Sequence, residues 1–449
     1  MHKHKWMGFI QITILYILQN MNSYLTIPNY NQISQELGVT DTYLGVMTGG
    51  YIFFSGIAAL LWSYASDAKG LERKILLGSS YFLAGVLTIL VLLTKNPYVI
   101  LFLWILVGGM LGGIIPLGFS VLSDLFEPRR RTSIFMLWNT IGGIGLGLGY
   151  GMALFLGMAY GWRFPLFVNG FILLSLGTFL SLTMPEPPRG RSDMDSMGIS
   201  KYFYPYKFRP QDLGFILKNK SNIYLAIQGI FGTIPNGIIF TWTVYYIMRY
   251  WHTNELLASL VLGLMSTGAL GGLFLSYLVD KLYEKKAVIR PLAAGVCSIT
   301  EAELFSLFFI MPVRVDIFTQ DLQSAFIILA NLLLNNAVVF SVFVIFFIAM
   351  FFNSPVGAIR DSTLTDINLP EDRSTVLSGM IIAELLSKSI GIIFIGLLSD
   401  IMSDLRYPLI IAMQFWVLSG IAWLYMLKFY ERDMQNVREV LRKRLENQA

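Results

Sequence analysis

The sequence predicts an all-α polytopic membrane protein whose twelve transmembrane helices form two six-helix pseudo-repeats. Three observations predict it. Hydrophobic residues make up 55% of the 449 positions and charged residues only 14%, against roughly 25% charged in a soluble domain, which is too little polar surface to face water. The apolar residues gather into twelve long runs. Two pairs of polar segments recur at matching places in the two halves of the chain.

Crossing about 30 Å of hydrocarbon takes roughly 20 helical residues. Runs of that length lie at 8–27, 43–66, 75–94, 98–122, 132–158, 163–184, 222–248, 256–279, 288–311, 336–358, 375–399 and 406–427. Barrel strands would be half as long and would alternate. The basic start, Met1 to Trp6, runs into the first span without a small-residue cleavage site, so no cleaved leader is expected.

Net charge is +5, but the basic residues sit between spans, so they set topology and do not point to nucleic acid. With the N-terminus inside, 27 Lys and Arg fall on the inner side and 5 on the outer, with Lys388 alone within a span. That asymmetry predicts cytoplasmic termini in a plasma or inner membrane.

The polar stretch 185–221 divides the spans six and six. The expected domains are therefore an N-terminal bundle over 1–184, a linker over 185–221, a C-terminal bundle over 222–427 and a basic tail over 428–449. Gln211 to Lys220 and Leu322 to Leu334 read as interfacial amphipathic helices. Glu431 to Leu445 reads as a solvated cytoplasmic helix that touches anionic lipid at most.

The halves repeat. Ser120-Val-Leu-Ser-Asp124, continuing to Pro128 and Arg131, matches Ser362-Thr-Leu-Thr-Asp366, continuing to Pro370 and Arg373, without a gap. Ser63-Tyr-Ala-Ser-Asp67 matches Ser276-Tyr-Leu-Val-Asp280. Two coincidences at equivalent places indicate duplication. Paired halves of this kind are the architecture of rocking transporters.

These residues resemble the major facilitator superfamily, whose Gly-x-x-x-Asp-Arg-x-Gly-Arg-Arg pattern lies between spans two and three. Asp67, Gly70, Arg73 and Lys74 fit it with two extra residues, and Ser63 stands for the first glycine. The resemblance implies the major facilitator fold and a cytoplasmic gate built from Asp67, Gly70, Arg73, Lys74, Asp124, Arg131, Asp280, Asp366 and Arg373. A carboxylate there suits a helix N-terminus. Within the superfamily the chain looks most like the Spinster-like, lipid-exporter-related branch. Gly161-Trp162-Arg163, Glu186-Pro-Pro-Arg189-Gly190, Gln228 through Pro235 and Asn353-Ser-Pro355 carry that likeness. The branch places an Asp-Arg pair in span one and an Arg and a Glu in span four. Asn22, Ser23, Trp104 and Leu111 stand there instead, so no coupling residue of the first half carries over.

An ionisable group at membrane depth is costly and functional by default. Glu384 falls about 15 Å into span eleven at 1.5 Å per residue. Lys388 follows one turn later, where the two can pair. Glu301 and Glu303 in span nine point to nearly opposite faces, so both cannot face one cavity. Asn22, Asn139, Gln228, Asn236 and Trp242 are the candidate cavity walls, with Gln19, Asn20, Trp138 and Tyr245 beside them. Pro235 breaks the backbone bonding of span seven locally. The glycines at 143, 147 and 151, flanked by 145 and 149, give span five a close-packing face.

No phosphate-binding Gly-x-x-x-x-Gly-Lys-Ser/Thr, no His-Glu-x-x-His and a single Cys297 leave no nucleotide, metal or enzyme signature. No cofactor is expected. The reading is a secondary active transporter of a small organic or amphipathic solute, working by alternating access. It is expected to be monomeric, with membrane lipids around it and protons as the candidate coupling ion. The alternative is a transport-inactive sensor or scaffold on the same fold.

Overall fold

A computed structural model describes residues 2–67, 70–126, 128–187, 219–319, 321–369 and 373–446. Among them every extended element is helical apart from one isolated bridge between Thr253 and Ile317. The chain forms two compact units, Met1–Tyr204 and Pro205–Ala449.

The first unit opens with α1 (His2–Ser23), a short helix α2 (Tyr30–Leu37) and α3 (Asp41–Asp67). After a turn come α4 (Arg73–Leu90), α5 (Pro97–Leu111), α6 (Ile114–Leu125), α7 (Pro128–Tyr160), α8 (Arg163–Ile172) and α9 (Thr178–Thr183). The α5–α6 pair crosses as one span, Pro97–Leu125, and so does the α8–α9 pair, Arg163–Thr183. The second unit holds α10 (Lys220–Trp251), α11 (Glu255–Ser266), α12 (Gly272–Tyr283), α13 (Ile289–Ile310), α14 (Leu322–Asn335), α15 (Ala337–Ile367), α16 (Arg373–Met402) and α17 (Arg406–Glu446). Eleven helical stretches among the described residues are long and apolar enough to cross a membrane. The 22-residue α1 precedes them and completes the twelve.

Small residues set the approach of neighbouring helices. A Cβ at Gly112, between α5 and α6, would stand 2.2 Å from the Ser55 carbonyl of α3. In α7 the face that meets α1 is formed by Gly142, Gly145 and Gly149, not by 143, 147 and 151. Among the described residues those three have no neighbouring atom beyond their own local helix backbone within 4 Å of where a Cβ would be. The four-residue spacing was legible, but the helical phase that meets a neighbour is set by tertiary packing.

Two helices outrun their apolar segments. The tenth span was expected to end at 358, yet α15 continues to Ile367 because Ile359, Thr363, Leu364 and Ile367 keep a buried helical stripe. The tail expected as a solvated helix is a direct continuation of α17, and it buries Asp433, Met434 and Val437. Asp433 accepts hydrogen bonds from the Ser221 backbone N–H at 3.0 Å and from its hydroxyl at 2.8 Å. It so satisfies donors that the start of α10 leaves open. Pro235 lies within α10, which continues unbroken through it. The expected helix α14 packs Ala325 and Leu329 inward and leaves Phe326, Ile327 and Leu334 exposed. Asp321 caps it, accepting from the Ser324 N–H at 2.7 Å, which holds the carboxyl below the ordinary aspartate range.

Candidate functional site

Two arginine clusters use the repeated motif residues. Arg73 opens α4 and is fully buried. Its guanidinium donates to Asp124 at 2.5 Å, Ser120 at 2.8 Å, Glu186 at 2.7 Å and the Pro187 carbonyl at 2.7 Å. Glu186 also accepts from the Lys74 N–H at 3.0 Å, as favoured for a carboxylate at a helix N-terminus. The Lys74 ammonium turns outward to Glu72 at 3.0 Å. Gly70 takes φ +66° in the preceding turn, where a Cβ would be strained.

In the second unit Arg290 takes the corresponding place at the start of α13. It donates to Asp366 at 2.7 Å and to Asp280 at 3.1 Å, and lies 3.7 Å over the Tyr283 ring. The Tyr430 hydroxyl donates to Asp366 at 2.5 Å. Asp124, Asp280 and Asp366 are thus joined to arginines that the repeat places alike. Arg290 and Tyr430 are not singled out by the sequence, and Glu186 is marked there only as part of the branch likeness. Their signal was the equivalence of the two halves, with Glu186 and Tyr430 both following the sixth span of their repeat. The side chains of Asp67, Arg131, Asn139 and Arg373 lie outside the described residues.

The second unit also holds a cavity of about 80 Å³ lined by α10, α13, α15, α16 and α17. Its charged centre is Arg360 on α15, which donates from Nη1 to both oxygens of Glu384 on α16 at 2.6 Å. The two side chains are only 20% and 12% exposed. Arg360 also reaches its neighbour Asp361 at 2.8 Å. Gly229 of α10 makes room for this pair, since a Cβ there would stand 2.7 Å from Glu384 Oε1. Glu301 lines the same cavity from α13, 1% exposed, with Ser298 one turn before it. Among the described residues neither Glu301 Oε2 nor Ser298 Oγ has a hydrogen-bond partner.

The expected Glu384–Lys388 pair is not formed. Arg360 takes the carboxylate, and Lys388 makes no ion pair among the described residues. The Lys388 stem lies against α10, where a Gly237 Cβ would meet its Cγ at 2.5 Å. The reason is reach: Arg360 stands one helix away with a forked head, whereas Lys388 extends along α10. From the sequence Arg360 falls among the inner-side basic residues between spans, because the apolar run stops at 358. The helical stripe through Ile359 and Thr363 was the signal that placed it inside.

Of the other candidates, Gln228 and Asn236 line the cavity. Gln228 Nε2 donates to the Leu225 carbonyl at 2.9 Å. Glu303 is exposed on the opposite face of α13 from Glu301. Asn22 is fully buried in the first unit, with neither amide atom hydrogen-bonded among the described residues. Trp242 is buried beside Tyr245, at 6.0 Å between rings, and does not line the cavity. Among the described residues no three His, Cys, Asp or Glu side chains converge as metal ligands.

A family model described as Major Facilitator Superfamily matches residues 12–318. The Sphingosine-1-phosphate transporter SPNS2 of Danio rerio is 25% identical over 244 residues, 52% of this chain and 46% of that protein. The Gallate transporter of Pseudomonas putida is 27% identical over 158 residues, 35% of this chain and 34% of that one. The first of these matches spans about half the length of its relative. In fold, the chain is similar to a bacterial homologue of the human lysosomal transporter Spinster in an inward-facing, unoccupied conformation. The TM-score is 0.73 at 15% identity, covering 96% of this chain and 98% of that one. The nucleoside transporter NupG gives a TM-score of 0.63 at 14% identity, covering 94% and 99%.

Proposed function

The chain belongs to the Major Facilitator Superfamily, and from that premise we propose that it is a secondary active transporter moving a small organic or amphipathic solute by alternating access. The family match makes it a multi-pass membrane transporter and not an enzyme. The observation that carries the finer reading is the Arg360–Glu384 pair, 20% and 12% exposed, within helices that span the membrane and lining the cavity. Ionisable groups in that setting mark transport pathways. A transport-inactive scaffold has no use for such a pair, which favours transport.

The chemistry of the pair narrows the solute. A guanidinium presents a planar fork that suits carboxylate and phosphate. Of the transporters this chain resembles, two are named for solutes with such a group, sphingosine-1-phosphate and gallate. In our reading the anionic head of the solute competes with Glu384 for Arg360. Glu384 then loses its counter-ion and takes up a proton, which links solute and proton movement. The cavity of about 80 Å³ is well below the roughly 300 Å³ of an organic ligand pocket, so solute entry requires another conformation. Both termini face the cytoplasm of a cell membrane, a reading supported by the Lys and Arg asymmetry. The Arg73 and Arg290 clusters belong to the cytoplasmic gate.

The test is uptake into proteoliposomes of a panel of carboxylated, phosphorylated and neutral amphipathic solutes, with and without a pH gradient. Glu384→Gln keeps the shape and removes the titration. It is expected to abolish gradient-driven accumulation and to spare passive exchange. Accumulation by that variant at the native rate would overturn the assignment.

A further inference from the structure

The Glu301 carboxyl, which has Asn353 as a side-chain hydrogen-bond partner but whose Oε2 has none among the described residues, gives the cavity a second chemistry. A void of about 80 Å³ holds two or three waters at about 30 Å³ each. Glu301 and Ser298, 1% and 0% exposed, are among its lining residues, and neither Glu301 Oε2 nor Ser298 Oγ is hydrogen-bonded among the described residues. Both lie on one face of α13, three residues apart. At 1.5 Å per residue Glu301 is about 18 Å along α13 from Ile289, at mid-membrane depth.

The charges around it are few. On its own helix the neighbour is Cys297. From α15 comes Arg360, already committed to Glu384 and Asp361, and the neutral Asn353. From α16 comes Glu384. From α17 come Trp416 and Ser419, and from α10 Gln228 and Asn236, none of them charged. The Asp280 carboxylate of α12 lies at the Arg290 cluster. Among the described residues that line the cavity no cation is left for Glu301, since Lys388 is not among them and its stem lies at Gly237, and a carboxylate buried without a counter-ion does not persist as an ion.

We infer that Glu301 is a proton-binding site separate from Glu384, holding a neutral carboxylic acid that faces the Arg360–Glu384 pair across cavity water. With Arg360 positive, Glu384 negative and Glu301 neutral, the cavity is balanced. When a conformational change parts Arg360 from Glu384 with no solute anion in its place, the guanidinium becomes available to stabilise Glu301 as a carboxylate. The O–H bond of Glu301 then breaks, its proton passes to cavity water, and the electron pair stays on the carboxylate. No redox partner is involved. This inference rests on the proposed charged centre, but its test does not require transport.

The experiment is infrared spectroscopy of the purified full chain in lipid nanodiscs at neutral pH, exchanged between H₂O and D₂O. The expected result is a carboxylic-acid carbonyl band that shifts in D₂O, is absent in Glu301→Gln and persists in Glu384→Gln. A band of native intensity in a monodisperse Glu301→Gln sample overturns the inference. Where that variant fails to fold, Glu301→Asp replaces it, and an acid band unmoved by this change overturns the inference equally. Loss of the wild-type band when sodium chloride replaces potassium chloride marks a metal-cation site and also overturns it. If the band behaves as expected while no solute of the panel is transported, the proton site stands and the transporter reading fails.

Discussion

The two repeats agree at their ends and differ in the middle. In both, an arginine at the start of the third span of the repeat joins an aspartate at the end of the fourth: Arg73 to Asp124, and Arg290 to Asp366. Carrying the register of Ser120 with Ser362 and Asp124 with Asp366 along the chain sets Arg360 opposite Gly118, Glu384 opposite Gly142 and Asn353 opposite Leu111. In the first repeat those positions are packed shut. A Cβ on Gly118 would stand 2.9 Å from the Trp138 ring, and one on Gly142 would stand 2.2 Å from the Tyr16 ring. Tyr16 and Phe119 close on Trp138 at 4.5 and 4.9 Å. The same helices therefore carry aromatic packing in one half and an ion pair with a cavity in the other. A duplicated fold can keep its end clusters while confining midplane charge to one copy.

That contrast breaks most visibly at Arg360. Arg360→Ala strands the buried Glu384 carboxylate, a loss of about 3–5 kcal/mol for pairs of this kind, and thermal unfolding in detergent measures it. A shift within error would mean that Glu384 finds water or Lys388 instead. Next comes overpacking in the first repeat. Gly142→Ala drives a methyl against Tyr16 and should cost about 1–3 kcal/mol in the same assay. A neutral outcome would show that the aromatic side is as yielding as the cavity side.

A smaller effect tests the agreement between repeats. Asn96 caps α5 by accepting from Tyr98 N–H at 3.0 Å, and Asn336 caps α15 by accepting from Val338 and Val339 N–H at 3.1 Å. Asn96→Ala and Asn336→Ala should each cost about 1 kcal/mol. Unequal losses would show that one repeat depends on its cap more than the other. The smallest effect is expected from Lys388→Met, which keeps the stem against Gly237 and removes an ammonium with no ion pair among the described residues. Proteoliposome uptake should stay near the native rate. Its abolition would mean that Lys388 meets Glu384 in another state of the transport cycle.

The sequence by itself determined the helical membrane class and the repeat. Apolar run length is dictated by bilayer thickness, and a gapless motif survives in one dimension. It also marked Glu384 as a midplane carboxylate and Glu301 as one toward the outer half of span nine, because a charge inside an apolar run is visible without a partner. Only the tertiary structure decided which cation meets Glu384. The apolar run ends before Arg360 while the helix does not, because the backbone continues wherever a buried stripe such as Ile359, Thr363 and Ile367 supports it. The same holds for the glycine face of α7. The spacing is local, but which of two phases touches α1 depends on how α7 is rotated against it. Glu301 and Glu303 were separable in sequence as opposite faces, yet which one lined a cavity was fixed by the packing of α13 against its neighbours. Pairing between distant helices is a property of three-dimensional distance, and no period along the chain encodes it.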